Sequence, residues 1–417
     1  MVSGPHHSAV RFTDYLLSPL IPAVNCWATV IRPLSRTEKT TLCVKQGQSI
    51  TTLMSKNKLL LLFLVDLVVL LIVYLLVFPV PISPVAWNPP PAPALTGQYQ
   101  QNSRLAGVER LSLGAGDAHP GTGFAPEDVA IDSQDRIYAG LDDGRIIRLQ
   151  PDGTRPEEFS NTYGRPLGLI FDGNGDLIVA DAIKGLLSIA RNGSVSVLTT
   201  EADGLQFACT NDLDVARDGT IYFTDASSKF PLSNYRADLL EHGGNGRLLA
   251  YDPKTKTTRT LMKDLCFANG VAVNPDQTFL LVVETGAYRV HRVWLSGPKQ
   301  GQSKIFIDNL PGFPDGISSN GKDKFWLALV TPRDKTLDTL LPHPFLRKVV
   351  YRLPKVFQPA PKRYSFALAL DVNGKVVDNL QNPASDCYAE IANVVEHNGA
   401  LYFGSIGESA IGRFRLQ

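Results

Sequence analysis

Apolar residues follow two patterns along this chain, and the first is an unbroken run near the N-terminus. Residues 59–78 carry a single charge, that of Asp66. A helix rises about 1.5 Å per residue, so a run of this length spans the roughly 30 Å hydrocarbon core of a bilayer. A buried helix of a soluble protein is seldom apolar on every face over this length, and the run therefore predicts a transmembrane helix. We interpret Asp66 as a tolerated charge, because the sequence offers no partner helix for it.

The charges that flank this run predict its orientation. Residues 1–58 contain seven Lys and Arg residues, and the next basic residue after the run is Arg104. Because positive charge stays on the cytoplasmic side, we expect 1–58 to be a cytoplasmic tail and the rest of the chain to lie on the periplasmic, extracellular or lumenal side. In a eukaryote, the glycosylation motif at Asn192 would then be available for a glycan.

A cleaved signal peptide is the alternative interpretation of the apolar run. The run is longer than an ordinary signal peptide core, and Phe78-Pro79-Val80-Pro81 offers no small-residue cleavage site. We therefore expect an uncleaved signal anchor. The tail lacks periodicity, as is typical of disorder, and Met54 is an alternative start of translation.

A proline-rich segment follows the predicted membrane helix. Residues 79–103 contain seven prolines, three of them consecutive. Such a composition is typical of an extended, semi-rigid linker without internal hydrogen bonds. We expect this linker to hold the next domain away from the membrane.

The second apolar pattern is a repeat that starts at about residue 107. A short apolar strand is followed by a turn rich in Asp, Asn and Gly and then by strands of aromatic and β-branched residues. Six copies predict an all-β domain over 104–417, a six-bladed β-propeller, because a four-stranded unit buries both faces only between neighbouring units. A β-sandwich would not repeat one strand-turn-strand phrase six times. The copies begin at Glu127, Leu167, Asn211, Asn269, Asp315 and Val394.

The interval between the last two copies is the longest and contains extra sequence. Residues 331–365 are amphipathic and partly helical in pattern. We expect this insertion to form a lid over one face of the propeller.

Four of the six copies begin with a carboxylate or a carboxamide side chain. Equivalent positions of a propeller converge on its axis, so these oxygens should meet at one centre. An all-oxygen set suits Ca²⁺, whereas Zn²⁺ prefers histidine and cysteine, which are missing from these positions. Asn and Asp also cap turns at strand entries, which is the alternative interpretation of each residue taken alone. The predicted metal ligands are Glu127, Asn211, Asn269 and Asp315.

Composition narrows the choice of partners and covalent links. The formal net charge is +1 and charged residues make up 19% of the chain, so we expect no nucleic acid partner. The five cysteines are too few and too irregularly spaced for a zinc ribbon or a disulfide-rich scaffold. Cys209 and Cys266 precede two predicted ligands, and the sequence leaves open whether they form a disulfide or are free thiols.

The assembled phrases resemble the strictosidine synthase-like family, and within it the adipocyte plasma membrane-associated group. The resemblance covers about 300 residues. It implies a signal-anchor helix followed by a six-bladed propeller. The family belongs to a wider superfamily that includes gluconolactonases, regucalcin-type lactonases, phosphotriester hydrolases and paraoxonases. The resemblance to this superfamily also implies Ca²⁺ at the hub, bound by the same four residues. The stretches that carry it include VADAIKGL from Val179, NDLDVARDGTIYFTDASSKF from Asn211, FANGVAVNPD from Phe267 and EHNGALYFGS from Glu396.

The chain departs from strictosidine synthases at the residue that the resemblance marks as catalytic. Those enzymes use a glutamate four residues before the phrase that starts here at Glu396, and Ala392 stands at that position. Alanine cannot transfer a proton, so Pictet-Spengler condensation is not expected. Glu390 is a weak substitute, and we expect His397 to make a structural hydrogen bond in a turn. The histidine dyad of paraoxonases has no counterpart.

The sequence thus predicts a membrane-anchored, Ca²⁺-dependent hydrolase of small-molecule esters or lactones. We expect Asp315 to act as nucleophile or general base beside the ion, and plain ligation is its alternative role. The alternative function is a non-catalytic propeller whose Ca²⁺ staples the hub and whose faces bind partners. The insertion would cover a pocket in the first case and present a docking helix in the second.

Overall fold

A computed structural model describes residues 56–114 and 125–416. The predicted tail over 1–58 falls almost wholly outside these residues, as does Met54. The chain divides into two units, Met1–Phe63 and Leu64–Gln417, and only residues 56–63 of the first are described. These eight residues are helical and belong to the first turns of the apolar helix.

The apolar run forms helix α1, Lys56–Val77. Its most apolar stretch has a mean hydropathy of 3.2, and none of that stretch is buried against protein. Length and composition make α1 a candidate membrane span, the one such helix among the described residues. It begins three residues earlier than predicted, because Lys56, Asn57 and Lys58 continue the first turn.

The remaining unit contains six antiparallel sheets of four strands each, which confirms the predicted all-β, six-bladed propeller. Strand β1, Glu109–Ser112, precedes the first complete sheet. Blade 1 comprises β2 Val129–Ile131, β3 Ile137–Gly140, β4 Arg145–Leu149 and β5 Glu157–Asn161. Blade 2 comprises β6 Pro166–Phe171, β7 Leu177–Asp181, β8 Gly185–Ile189 and β9 Val195–Thr199.

The later blades follow a small hairpin formed by β10, Glu201–Ala202, and β11, Leu205–Gln206. Blade 3 comprises β12 Thr210–Val215, β13 Ile221–Asp225, β14 Gly246–Asp252 and β15 Thr257–Leu265. Blade 4 comprises β16 Ala268–Val273, β17 Phe279–Glu284, β18 Arg289–Trp294 and β19 Ser303–Ile307. Blade 5 comprises β20 Gly312–Ser319, β21 Lys324–Pro332, β22 Ser365–Asp371 and β23 Val376–Asn382.

Blade 6 is built from both ends of the domain. It comprises β24 Ile391–His397, β25 Ala400–Ser405 and β26 Ala410–Arg415, and β1 supplies its outer strand. Leu111 lies opposite Ile411 in this pairing. The first strands of neighbouring blades contact one another around the whole ring, including β24 against β2. This closure was not predicted from the sequence.

The turns between strands explain why Asp and Gly recur in the repeat. Asp172 Oδ1 accepts hydrogen bonds from the backbone N–H groups of Asn174 and Asp176, both at 2.9 Å. Gly175 in the same turn has φ +81°, which side chains rarely adopt. The carboxylate therefore orders the turn and the glycine allows its backbone path.

Two helical insertions emerge at the same end of their blades. Helix α2, Tyr235–Glu241, lies between β13 and β14, and helices α3, Lys335–Leu340, and α4, Pro344–Arg352, lie between β21 and β22. Because adjacent strands are antiparallel, second strands end where innermost strands begin. Helices α2 and α4 contact each other. Helices α3 and α4 agree with the helical pattern expected over 331–365, α2 was not predicted, and the lid role remains a prediction.

The proline-rich segment is packed against the propeller and is not a free spacer. Ile82 is 1% exposed in a cluster with Phe230 and Leu240. The backbone N–H groups of Ser83 and Val85 donate to the side chain and the carbonyl of Glu241, at 2.7 and 2.8 Å. The apolar residues between the prolines thus have a surface on which to bury.

Side chains of the propeller satisfy carbonyls of the same segment. Arg333 Nη2 donates to the Pro90 carbonyl at 2.7 Å, and Asn309 Nδ2 donates to that of Pro91 at 3.0 Å. Proline has no N–H group, so a proline-rich chain cannot pair with a strand edge and instead takes donors from side chains. Composition predicted an extended segment but neither this docking nor the short 3-10 helix at Gly97–Tyr99.

Candidate metal centre at the propeller hub

The innermost strands and the residues just before them enclose one small cavity. Its volume is about 10 Å³, which is room for a single water-sized particle or ion. All six blades contribute to its wall. The lining residues are Glu127, Asp128, Leu167, Gly168, Asn211, Asp212, Asn269, Asp315, Gly316, Ala392 and Asn393.

The four residues predicted as ligands all line this cavity. Asn211 and Asn269 are 4% exposed and Asp315 is 5% exposed. The Asn269 amide donates a hydrogen bond to Asp315 and also lies 3.3 Å from Thr285 Oγ1. Thr285 Oγ1 in turn donates to the Pro314 carbonyl at 2.7 Å, which holds this part of the wall in place.

The charged forms of the two carboxylates in the set are disfavoured by their burial and by each other. Burial raises the pKa of Glu127, and the charge of Arg165 opposes that rise. Burial also raises the pKa of Asp315, and repulsion from Glu127 adds to it. A divalent cation between them would offset both effects.

The donor set fits a hard cation. Two carboxylates match the charge of Ca²⁺, and two carboxamide oxygens with water complete the roughly six to eight oxygen ligands that this ion takes. Within residues 56–114 and 125–416, no group of three or more His, Cys, Asp and Glu side chains is placed to hold a metal. The hub therefore depends on carboxamide oxygens, and its lining offers no histidine or cysteine for zinc.

A second ring of hub residues lies one position after the predicted ligands in the sequence. Asp128 accepts from the N–H groups of Val129 and Leu169, at 2.7 and 2.8 Å, and from the Asn393 side chain. These bonds join blade 1 to blades 2 and 6. Burial raises the pKa of Asp128 to about 7, although the hydrogen bonds oppose the rise.

Asp212 makes the corresponding link between blades 3 and 4. Its carboxylate accepts from the N–H groups of Leu213 and Val271, at 2.8 and 2.9 Å. Burial raises its pKa, and the charge of Asp128 adds to the rise. These polar links were not predicted from the sequence, although an acidic residue follows two of the ligands, in Glu127-Asp128 and Asn211-Asp212.

Glycine fills the same ring position in blades 2, 4 and 5. A Cβ added to Gly270 would lie 2.4 Å from the Ile317 backbone nitrogen. At Gly316 it would lie 2.6 Å from the Ala392 carbonyl oxygen. Neighbouring blades thus approach too closely for any side chain, which explains the recurring Asn-Gly and Asp-Gly pairs better than turn formation does.

Arg165 lies beside Glu127. Its Nη2 is 3.5 Å from Glu127 Oε2 and 3.0 Å from Asp142 Oδ1, and it donates to the Ala125 carbonyl at 3.0 Å. Arg165 is 8% exposed, and its buried Nη1 has no hydrogen-bond partner within the described ranges. This arginine was not predicted.

Asp181 fixes the loop that carries this arginine. Its Oδ1 accepts from the N–H groups of Arg165, Ile183 and Lys184, each at 2.9 Å. The carboxylate is fully buried. It therefore ties two loops of blade 2 together.

The other residues that the sequence analysis considered for the site are not predicted ligands. Ala392 lines the cavity, but Glu390 is not part of its wall. His397 Nε2 lies 2.7 Å from Asp135 Oδ1 on the surface, in keeping with a structural role. Cys209 and Cys266 are both free thiols, so the disulfide alternative is wrong.

Comparison with known proteins places these features in a wider group. The model of the strictosidine synthase family matches residues 211–298, and that of the strictosidine synthase-like N-terminal region matches 97–149. Strictosidine synthase-like 6 of Arabidopsis thaliana is 36% identical over 315 residues, which cover 74% of this chain and 83% of that protein. The adipocyte plasma membrane-associated protein of Rattus norvegicus is 34% identical over 362 residues, which cover 81% and 93%.

Solved structures share the architecture at low sequence identity. A gluconolactonase from Xanthomonas campestris superimposes with a TM-score of 0.53 at 18% identity, over 82% of this chain and 99% of that one. The calcium-binding regucalcin of Agrobacterium tumefaciens gives a TM-score of 0.51 at 12% identity, over 74% and 93%. At these identities the likeness shows the fold alone.

Proposed function

Since the chain belongs to the strictosidine synthase-like family, we propose that it is a membrane-anchored hydrolase of small-molecule esters or lactones that depends on Ca²⁺ at its hub. The observation that carries the proposal is the convergence of two carboxylates and two carboxamides on a cavity the size of one ion. The names of structural neighbours, a gluconolactonase and a calcium-binding regucalcin, agree with it.

Glu127, Asn211, Asn269 and Asp315 would hold the ion. When bound, Ca²⁺ supplies positive charge that polarises an ester or lactone carbonyl. The cavity itself has no room for an organic substrate. The substrate would therefore bind at the edge of the ring, with its reacting group toward the ligands.

The chain's own residues supply the remaining chemistry. Asp315 is the carboxylate proposed as nucleophile or general base, because one of its oxygens would bind the ion while the other would face the substrate. Arg165, beside Glu127, would add positive charge near the oxygen on which negative charge develops. Ala392 offers no proton acceptor, so condensation chemistry is not part of the proposal.

The second candidate function is a non-catalytic propeller stapled by its ion. The small volume of the hub cavity favours it, since a site of about 10 Å³ can be filled by the ion alone. Partners would then bind the propeller faces.

The full-length protein in detergent tests the proposal. We would measure hydrolysis of a panel of aryl esters and lactones with Ca²⁺ and with EGTA, in the wild type, in Asp315→Asn and in the control Asp386→Asn, whose side chain is exposed. We expect Ca²⁺-dependent turnover that Asp315→Asn lowers at least about a hundredfold and Asp386→Asn leaves unchanged. If no substrate is turned over while Ca²⁺ raises the melting temperature of the wild type and not of Asp315→Asn, the stapling function is correct.

A further inference from the structure

The insertion in blade 5 exposes large apolar side chains that the rest of the fold does not cover. Phe345 and Leu346 at the start of α4 are 54% and 45% exposed, and Val356 and Phe357 in the following turn are 81% and 70% exposed. These four residues lie within 13 positions of one insertion, and a concentration of exposed apolar side chains marks an interaction surface. We call these four residues the insertion patch.

The turn of the patch is fixed to the end of α4. Gln358 Nε2 donates to the carbonyls of Tyr351 and Leu353, at 3.2 and 2.9 Å. The other face of α4 is anchored by Arg347, which is fully buried and donates to the Leu240 carbonyl at 2.9 Å. The exposure of the patch is therefore a property of an ordered element.

A second contact places α4 at the end of the apolar helix. Arg352 Nε donates to the Phe78 carbonyl at 2.6 Å, and its Nη1 donates to that of Leu75 at 2.7 Å. The last carbonyls of a helix lack intrahelical partners and carry partial negative charge, which a guanidinium satisfies. The last turn of α4 is thus joined to the last turn of α1.

The part of the insertion that follows Asp338 carries charge of one sign, and two of its basic residues, Lys362 and Arg363, pair with Asp334 and Glu408 from outside that part. Between Asp338 and Asp371 the chain contains six Lys and Arg residues and no Asp or Glu. Lys348 lies within α4, and Lys355 begins the turn of the patch. Apolar side chains among basic ones are typical of surfaces that lie in the headgroup region of anionic membranes.

We propose that the insertion patch lies in the lipid interface, with its four apolar side chains among the upper acyl chains and with Lys348 and Lys355 against anionic headgroups. The inference rests on the proposed crossing of the bilayer by α1, because the contact of Arg352 with Phe78 brings α4 to the boundary only if α1 spans the membrane. The patch then holds the propeller at a fixed orientation beside the bilayer. Since the insertion emerges where the innermost strands begin, the ligand end of the hub lies toward the membrane.

Tryptophan quenching in the full-length protein tests the placement. Phe357→Trp and the control Val197→Trp, whose site in β9 is 59% exposed on another blade, would be reconstituted in nanodiscs with ordinary or brominated lipid. The wild-type signal, from its four native tryptophans, is subtracted. We expect brominated lipid to quench the emission added at 357 at least about twofold more than that added at 197. We also expect the quenching at 357 to increase with phosphatidylserine and to lose that increase in Lys348→Gln/Lys355→Gln.

Alkaline carbonate extraction distinguishes failure of the placement of the patch from failure of the membrane anchoring by α1. If the protein resists extraction and the emission at 357 is quenched no more than at 197, the patch faces water and this inference is wrong, whereas the anchoring by α1 stands. If carbonate releases the protein, both the anchoring and the placement of the patch are overturned. Hydrolysis assays in detergent do not bear on either outcome.

Discussion

Asn393 of the last blade donates a side-chain hydrogen bond to the buried carboxylate of Asp128 in the first. The same carboxylate accepts from the backbone of blade 2 through Leu169. One side chain therefore connects three consecutive blades at the point where the ring closes, next to the predicted ligand Glu127.

Loss of this bond should weaken the closure of the ring. We expect Asn393→Ala to lower the free energy of unfolding by about 1–3 kcal/mol, because Asp128 then loses a donor in a buried site. Urea denaturation of the full-length protein in detergent measures it. Asn373→Ala, at an exposed turn of blade 5, is the matched control. Equal stability of the two variants would show that the bond contributes nothing.

The glycines of the hub should tolerate no side chain. At Gly270 a Cβ would meet the Ile317 nitrogen at 2.4 Å and the Asp315 carbonyl oxygen at 2.6 Å, and neither backbone can move without separating the blades. We expect Gly270→Ala to destabilise the protein by about 1–3 kcal/mol or more. Gly173→Ala is the control, because no atom lies within 4 Å of its added Cβ. Thermal unfolding compares them, and similar melting temperatures would contradict the close approach of blades 4 and 5.

A buried ion pair in blade 4 should make stability depend on pH. Burial acts to raise the pKa of Glu284, but hydrogen bonds from His291, Arg289 and the Cys266 N–H outweigh it and lower the value to about 2. A lowered folded pKa stabilises the protein above the ordinary value of 4.5, and this contribution is lost as pH falls from there toward 2.

Glu284→Gln tests that linkage. We expect it to cost on the order of 3 kcal/mol near pH 6, and the difference from the wild type to shrink as pH falls below about 4.5. Denaturant titrations at a series of pH values measure both proteins. The interpretation fails if the difference between them is the same at pH 3 and pH 6.

The predicted orientation of the chain places Asn192 where a glycan can be added. This residue is exposed in the turn between β8 and β9, where Asn192 Oδ1 accepts from Ser194 Oγ at 2.7 Å. With the propeller on the lumenal side, full-length protein made in a eukaryotic cell should carry a glycan there. A mobility shift removed by endoglycosidase and absent in Asn192→Gln is the expected result. Unmodified wild type, together with a propeller that protease digests in intact microsomes while the tail is shielded, would reverse the topology.

Residues that carry a repeating signal were predictable from the sequence. The phase of the repeat placed Glu127, Asn211, Asn269 and Asp315 together, because equivalent positions of a propeller share one axis. The ring of Asp128, Asp212 and the glycines carried the same signal one position later and was missed.

Features that depend on distant partners were not predictable. The pairing of Leu111 with Ile411 gives no local pattern, since β1 looks like any short strand. Proline content predicted an extended course for 79–103, but composition does not say which surface such a segment contacts. Whether Cys209 and Cys266 are bonded likewise depends on three-dimensional geometry.

Because β1 pairs with β26, the propeller can close only late in synthesis. Glu109 and its ion-pair partner Arg413 are 304 residues apart. During synthesis β1 leaves the ribosome long before β26 exists, so the ring stays open until nearly the whole propeller has been translated. In that interval the unpaired strand β1 and the uncovered faces of blades 1 and 5 can pair with the wrong partner. A chaperone, or rapid insertion of α1 into the membrane, would protect the nascent chain while it is most prone to aggregate.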